Sequence, residues 1–309
     1  MKALFALLVF LPCLIYGAYL PQPREIVDGE AGLLAATNDE ITNLVEQLYS
    51  SDVNKAGSGD VTLNLQYLAA STQTSSGTDY ASQKVFGYVN EAKLFSRPTF
   101  SRFIALLDNY LSTTGTAELV PSEEITEQNA FIDEVFKTSI FSLLSNFLVS
   151  QGYYTSAASF KTDLHEMWFG LYTRTKGPLD SSGFEHIFLG EIHGGKISGF
   201  HNWVRFYLQE KAGDVNYLSY SAKGPWTNYP DVYGFQFKWS TYLKSLGSLF
   251  VGSSPEFDLA VFSLCYITRP DSVCTVKMGG QTLRIQTYTW ANSTYGNGKR
   301  YVASTYPVV

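Results

Sequence analysis

Hydrophobic periodicity changes once along the chain, near residue 180, and that change limits the fold more than any other feature. Before it, apolar residues recur at helical spacing. Ile41, Leu44, Val45, Leu48 and Tyr49 follow the acidic first turn Asn38-Asp-Glu40. Arg97-Pro-Thr-Phe100 opens a second segment that continues through Phe103, Leu106, Leu107 and Leu111. Pro121-Ser-Glu-Glu-Ile125 opens a third, with Ser122 as its expected cap, and its apolar pattern runs on to Leu148. Ser156 to Tyr172 predicts a fourth, carrying Leu164, Met167, Trp168 and Leu171. Beyond residue 180 glycine and tyrosine become frequent. Short alternating runs predict strands at 215–221, 234–239, 247–251, 274–278, 282–289 and 300–304. Two helices interrupt them: Asn202 to Lys211, closed near Gly213, and Ser254 to Leu264, with a serine cap and a proline in its first turn. The expected class is α+β, an α-rich N-terminal part (19–180) followed by antiparallel sheets with flanking helices (181–309), with 19–309 as one unit.

Residues 1–18 stand apart. One lysine, an apolar run from Ala3 to Tyr16 and then small residues read as a secretory signal, cut after Gly17 or Ala18. No later apolar run reaches the ~18 residues of a membrane span, so the expected location is extracellular or the lumen of the secretory pathway. Cys13 leaves with the signal. Cys265 and Cys274, nine apart in an oxidising compartment, are expected to pair. Asn292-Ser-Thr294 is a glycosylation sequon, expected on an exposed loop.

A net charge of −6 argues against a generic nucleic-acid binder, but the charge is unevenly spread. Residues 1–180 hold eleven basic and twenty acidic side chains (net −9), residues 181–309 eleven and eight (net +3). An anion can approach the second half. That half also holds three of the four histidines, within Gly183-Phe-Glu-His-Ile-Phe-Leu-Gly-Glu-Ile-His-Gly-Gly-Lys-Ile-Ser-Gly-Phe-His-Asn-Trp203. Imidazole takes and gives a proton near neutrality, with an ordinary pKa of ~6.5. Three chemistries compete for this cluster. Two histidines and a lysine can cleave a phosphodiester without metal. His186, His193 and His201 can ligate zinc, although the glycines at 190, 194, 195 and 199 break any helix that would present two ligands on one face. Or the histidines are polar loop residues of a binding module.

Asp180-Ser-Ser-Gly-Phe-Glu-His-Ile-Phe-Leu-Gly-Glu191 with Gly199-Phe-His-Asn-Trp203 resembles the EndoU family, uridylate-specific endoribonucleases with coronaviral relatives. The likeness continues through Tyr207–Lys211, the segment Tyr242-Leu-Lys-Ser-Leu-Gly-Ser-Leu-Phe-Val-Gly-Ser-Ser-Pro-Glu-Phe257, and Ala303-Ser-Thr-Tyr-Pro307. By position the resemblance implies His201 as general base, His186 as general acid and Lys244 as the cation on the phosphate; Lys238 is the neighbouring alternative. It implies that Ser248, Ser304 and Tyr306 read and pack the nucleoside, although Ser304 stands where a threonine is usual. Glu185 and Glu191 match acidic positions of the family, as manganese ligands or as orienters of the imidazoles. His193 matches no catalytic position, and His165 reads as core or interface. The implied partner is single-stranded, uridine-containing RNA. DNA lacks the 2′-hydroxyl and is not expected to be a substrate. A monomer is expected. The competing possibility is a member that keeps the fold but works as a secreted RNA-binding or regulatory protein.

Overall fold

Thr37 starts the first helix by reciprocal capping: its hydroxyl accepts from the Glu40 N–H while the Glu40 carboxylate accepts from the Thr37 N–H. The computed structural model describes residues 35–309, so the expected signal segment and Cys13 lie outside the described residues. α1 (Asn38–Ser51) is followed by two short paired strands, β1 (Val61–Leu63) and β2 (Phe86–Val89), that no alternation announces. Then come α2 (Glu91–Leu94), α3 (Pro98–Ala105), α4 (Ser122–Val135), α5 (Ser139–Ser150) and α6 (Ala157–Phe169).

Three sequence expectations are corrected here. The helix expected from Ser122 to Leu148 is two helices, because Thr138 turns extended (ψ 155°) and its hydroxyl accepts from the Phe141 N–H. A hydroxyl cap is worth about 1 kcal/mol, and here it interrupts an apolar pattern that would otherwise run through. Ser122 is the first helical residue rather than the cap; Pro121 holds the cap position without a side-chain bond. The second segment also ends at Ala105, short of Leu111.

The second half carries β3 (Glu191–His193), β4 (Lys196–Ser198), α7 (Trp203–Ala212), β5 (Val215–Lys223), β6 (Asp231–Trp239), β7 (Tyr242–Val251), α8 (Pro255–Thr268), β8 (Val273–Met278), β9 (Gln281–Tyr295) and β10 (Lys299–Pro307). Two three-stranded antiparallel sheets result, ordered β5-β6-β7 and β10-β9-β8. The close of α7 at Gly213 (φ 93°) and the Ser254 cap of α8 are as expected, while Asn202, the expected first residue of α7, is its cap and accepts from the Arg205 N–H.

α8 is apolar nearly all round and is buried along almost its whole length, as a central helix must be. Phe262 stacks on Phe250 of β7. Trp168 of α6 donates to the Ser263 hydroxyl, and Tyr172 donates to the Val302 carbonyl of β10. The helical half is thus bonded into the sheet half, and residues 35–309 belong to one compact unit. Cys265 of α8 and Cys274 of β8 form a disulfide with their Cα atoms 5.6 Å apart. No helix among the described residues is long and apolar enough to cross a membrane.

Candidate active site

His186 sits on a five-residue π-helical turn, Glu185–Leu189, whose residues are all buried. Ser182 starts it by accepting the Glu185 N–H on its hydroxyl and the His186 N–H on its carbonyl. Gly190, at φ 84°, ends it by donating to the Glu185 carbonyl. The chain then makes the β3–β4 hairpin, turned by Gly194 and Gly195, which are both in the left-handed region such a two-residue turn requires. It comes back against the π turn: Phe200 N–H donates to His186 O (3.0 Å) and His201 N–H to Ile187 O (2.7 Å). Two backbone hydrogen bonds therefore fix the spacing between the two histidines.

Lys244 reaches the same place from β7, which begins at Tyr242, five residues before the alternation visible in the sequence. Phe235 pairs with Gly247 but Phe237 with Lys244, so β7 carries an extra residue there. A bulge of this kind re-aims side chains beside a site. Lys238 pairs with Leu243 instead and does not line the cavity.

His186, His201, Lys244, Ser248, Ser304 and Tyr306 line one cavity of about 680 Å³. The structure thus brings together all six residues expected to act on substrate. On β10 the side chains alternate, so Ser304 and Tyr306 share the cavity face while Thr305 points into the core, fully buried. Ser304, not Thr305, supplies the hydroxyl. Tyr306 stacks on the His201 ring (4.8 Å between centroids, 16° between planes), so one of its faces is already occupied.

The two imidazoles are backed differently. His186 Nδ1 lies 2.7 Å from Glu191 Oε2, a carboxylate oxygen that Arg174 Nε also approaches at 3.1 Å. His201 Nδ1 lies 2.7 Å from the Ser248 carbonyl, so Nδ1 carries the hydrogen and Nε2 is left as the acceptor. Burial holds both rings well below the ordinary histidine range. The nearby cations Arg174 and Lys244 add to this at His186, and Lys244 at His201, where the Ser248 carbonyl opposes it. Burial also pushes Lys244 down to about 8.

Arg174 is the residue that sequence reading missed. It lies between Tyr172 and Ser181, whose bridge folds 173–180 into a loop. From there its guanidinium reaches Glu191, the Tyr172 hydroxyl, the Ser181 hydroxyl and the Ala303 carbonyl. No periodicity or motif marks it. Gln286 and Tyr288 of β9 also line the cavity and were not singled out.

Glu185 and Glu191, expected as manganese ligands or as orienters of the imidazoles, have different surroundings. Glu191 spends one oxygen on His186 and Arg174. Both Glu185 oxygens are buried without a hydrogen-bond partner, and burial together with the Glu191 charge pushes this carboxyl strongly up. Burial raises Glu191 too, but Arg174 opposes it. Glu191, facing Arg174 and His186, has partners for a charge that Glu185 lacks. A neutral, inward carboxyl costs far less than an unpaired buried carboxylate. Among the described residues no group of three or more His, Cys, Asp or Glu is placed to hold a metal ion, and His186, His193 and His201 do not gather into one. Of the two roles expected for these acids, orienting the imidazole fits Glu191.

His193 stands on the exposed tip of β3 with Nδ1 3.0 Å from the Thr114 hydroxyl. His165 is half-buried on α6 against Phe169, away from this cavity. Asn292 is exposed on β9, a strand rather than the expected loop.

A pocket with two buried imidazoles, an ammonium and a hydroxyl rim is one built to move protons beside an anion. Comparison with known proteins agrees. Residues 40–307 match the family described as Endoribonuclease XendoU. The chain is 70% identical to the Xenopus laevis protein named Uridylate-specific endoribonuclease D, over 99% of both chains. It is 49% identical to the Homo sapiens Uridylate-specific endoribonuclease, covering 89% of this chain and 67% of that protein. A solved structure, described as "The structure of XendoU: a splicing independent snoRNA processing endoribonuclease", superposes with a TM-score of 0.70 at 36% identity, covering 87% of this chain and 96% of that one. The chain belongs to the XendoU endoribonuclease family.

Proposed function

We propose that the chain is a secreted endoribonuclease that cuts single-stranded RNA at uridines through the ribose 2′-hydroxyl. The observation that carries this is the unequal backing of the two histidines in one cavity. A carboxylate behind His186 favours its imidazolium, the form a general acid needs. A carbonyl behind His201 fixes the tautomer whose Nε2 can accept a proton. His201 removes the 2′-hydroxyl proton, and the 2′-oxygen bonds to the adjacent phosphorus. The P–O5′ bond breaks, and the departing 5′-oxygen takes the proton from His186. The products are a 2′,3′-cyclic phosphate and a 5′-hydroxyl. Lys244 meets the charge that develops on the phosphoryl oxygens. The nucleophile is already tethered to its target, so proton transfers and charge compensation are what the protein must add. The Ser248, Ser304 and Tyr306 rim is where a uracil and its ribose fit, as the names of the relatives suggest.

The N-terminal leader and the Cys265–Cys274 disulfide support export, and exposed Asn292 supports a glycan there. A monomer that does not cut DNA completes the reading. Manganese stimulation stays in it as an expectation without a ligand set; since no step above runs through a metal, cleavage persists in chelator at a reduced rate.

The deciding experiment offers the purified protein an oligonucleotide with one uridine and its 2′-deoxyuridine counterpart. Cleavage of the first alone, with a cyclic phosphate end, is the expected result. Binding of both without cleavage of either would instead establish the RNA-binding alternative.

The pH dependence follows from the two depressed imidazoles. His201 must be neutral, and its lowered pKa keeps it neutral on descending pH until below the ordinary ~6.5. His186 must be protonated, and its lowered pKa removes that proton as pH rises. Both limbs of kcat/KM for the free protein therefore shift acidward, placing its maximum below ~6.5. The kcat profile, which reports the RNA-bound state, sits higher because a phosphate anion favours both imidazolium forms. Above about 8 the loss of the Lys244 charge lowers turnover further. Initial rates across pH 4.5–9 check this, and a kcat/KM maximum well above 7 would contradict the assigned environments.

A further inference from the structure

We propose that His193 and Lys196, on the tip of the β3–β4 hairpin, bind a phosphate of the RNA strand next to the one that is cut. The proposal rests on the RNA-cleaving function above and adds a subsite to it.

Strand pairing supplies the geometry. Glu191 pairs with Ser198, Ile192 with Ile197, and His193 with Lys196. Side chains alternate along a strand, so Glu191, Ser198, His193 and Lys196 share one face of the hairpin and Ile192 and Ile197 the other. The isoleucines are buried, at 7% and 6% exposure; on the other face Glu191 is buried too, while His193 and Lys196 are exposed. On the opposite face, Glu191 touches His186 and Ser198 lines the reaction cavity. Going outward on that face by one strand repeat, about 6.6 Å, the next residues are His193 and Lys196. A strand leaving the cavity along the hairpin meets these two.

Their chemistry suits an anion. Both are exposed, and among the described residues neither takes part in an ion pair, whereas Arg174 is committed to Glu191. The Thr114 hydroxyl donates to the Ile192 carbonyl, so it accepts from His193 Nδ1–H and leaves Nε2 on the free edge of the ring, where the imidazolium form donates Nε2–H to an anion. That places the imidazole before a ligand arrives. His193 is close enough to bear on both His186 and Glu191 electrostatically. Space is available as well: a Cβ added at Gly194 or Gly195 would meet nothing within 4 Å. In a protein of net charge −6, an RNA strand needs such local basic contacts to stay bound.

The test compares the whole protein with its H193A/K196A variant on two substrates. One is uridylyl-(3′,5′)-adenosine, whose only phosphate is the scissile one. The other is a decanucleotide with a single ribouridine in an otherwise deoxy strand. For the decanucleotide KM is expected to rise about tenfold with kcat within about twofold, and the salt dependence to flatten by about 0.7 in log–log slope, the value for one phosphate on a single strand. For the dinucleotide both constants should stay within about twofold, which also shows that the variant is folded. An equal loss on both substrates would overturn the subsite in favour of a role in placing His186, and an unchanged decanucleotide KM would overturn it outright. A wild-type protein that cuts neither substrate refutes the nuclease function itself, a separate failure.

Discussion

Replacing His201 by alanine is expected to lower uridine cleavage by about 10²–10⁴-fold, the usual worth of one positioned proton transfer. The loss should fall on kcat, because the ring contributes its Nε2 to the reacting hydroxyl while Lys244, Ser248 and Ser304 continue to hold the nucleotide. His186→Ala should cost a similar factor. Acid and base act in one displacement, so the double variant should lose far less than the product of the two single losses. The 5′-oxygen cannot leave readily without a proton, even when the 2′-oxygen is activated. Rapid-quench rates on the single-uridine oligonucleotide, with binding followed by fluorescence, separate these effects. His201→Ala turnover within about tenfold of wild type would remove the base assignment. One side effect is expected: Tyr306 loses the ring it stacks on, so a modest change in KM should accompany the fall in kcat.

Which parts of this were legible beforehand follows from how local each one is. The caps of α7 and α8 are short-range events, written in Asn202, Gly213 and Ser254, and a sequence reader finds them. The alternating runs of β5, β6 and β8–β10 are likewise local. Thr138 shows the opposite case. Its hydroxyl cap competes with an apolar pattern that continues on both sides, and periodicity alone cannot tell which prevails. The π turn at Glu185–Leu189 is a second case, since it comes from bonds to Ser182 and from the returning segment at Phe200 and His201.

The site shows the same division. Placement of His186, His201 and Lys244 came from family likeness rather than from spacing, since 186 and 244 meet only after two sheets form. Glu191 was legible as an acid near a histidine, but its role depends on Arg174. Arg174 is seventeen positions earlier and is delivered by a loop without pattern. The bulge in β7 that turns Lys244 into the cavity is a mismatch between strands, visible only in the pairing.

Gly199→Ala should be the most damaging substitution outside the catalytic trio. A Cβ built there lies 1.6 Å from the His186 carbonyl oxygen and 2.6 Å from its carbon, whereas real Cβ atoms do not come within 3.0 Å of a neighbour. The obstacle is backbone, so no side-chain rotation relieves it. The residue also sits at φ 65°, where a side chain costs about 1–2 kcal/mol by itself. Pushing the two segments apart breaks the Phe200–His186 and His201–Ile187 hydrogen bonds, each worth about 1 kcal/mol net. The combined loss is about 3–4 kcal/mol. Whatever folded protein remains holds its acid and base at the wrong separation, and a displacement of about 1 Å costs on the order of 10²-fold in rate. Gly194→Ala is the matched control: φ is 55°, but nothing lies within 4 Å of the added methyl. It should cost only the conformational part, about 1–2 kcal/mol, and leave dinucleotide turnover near wild type. Denaturant midpoints and turnover of the two variants then distinguish close backbone approach from mere left-handed strain. Equal, mild effects at 194 and 199 would mean that the two histidine-bearing segments are not held against each other as described.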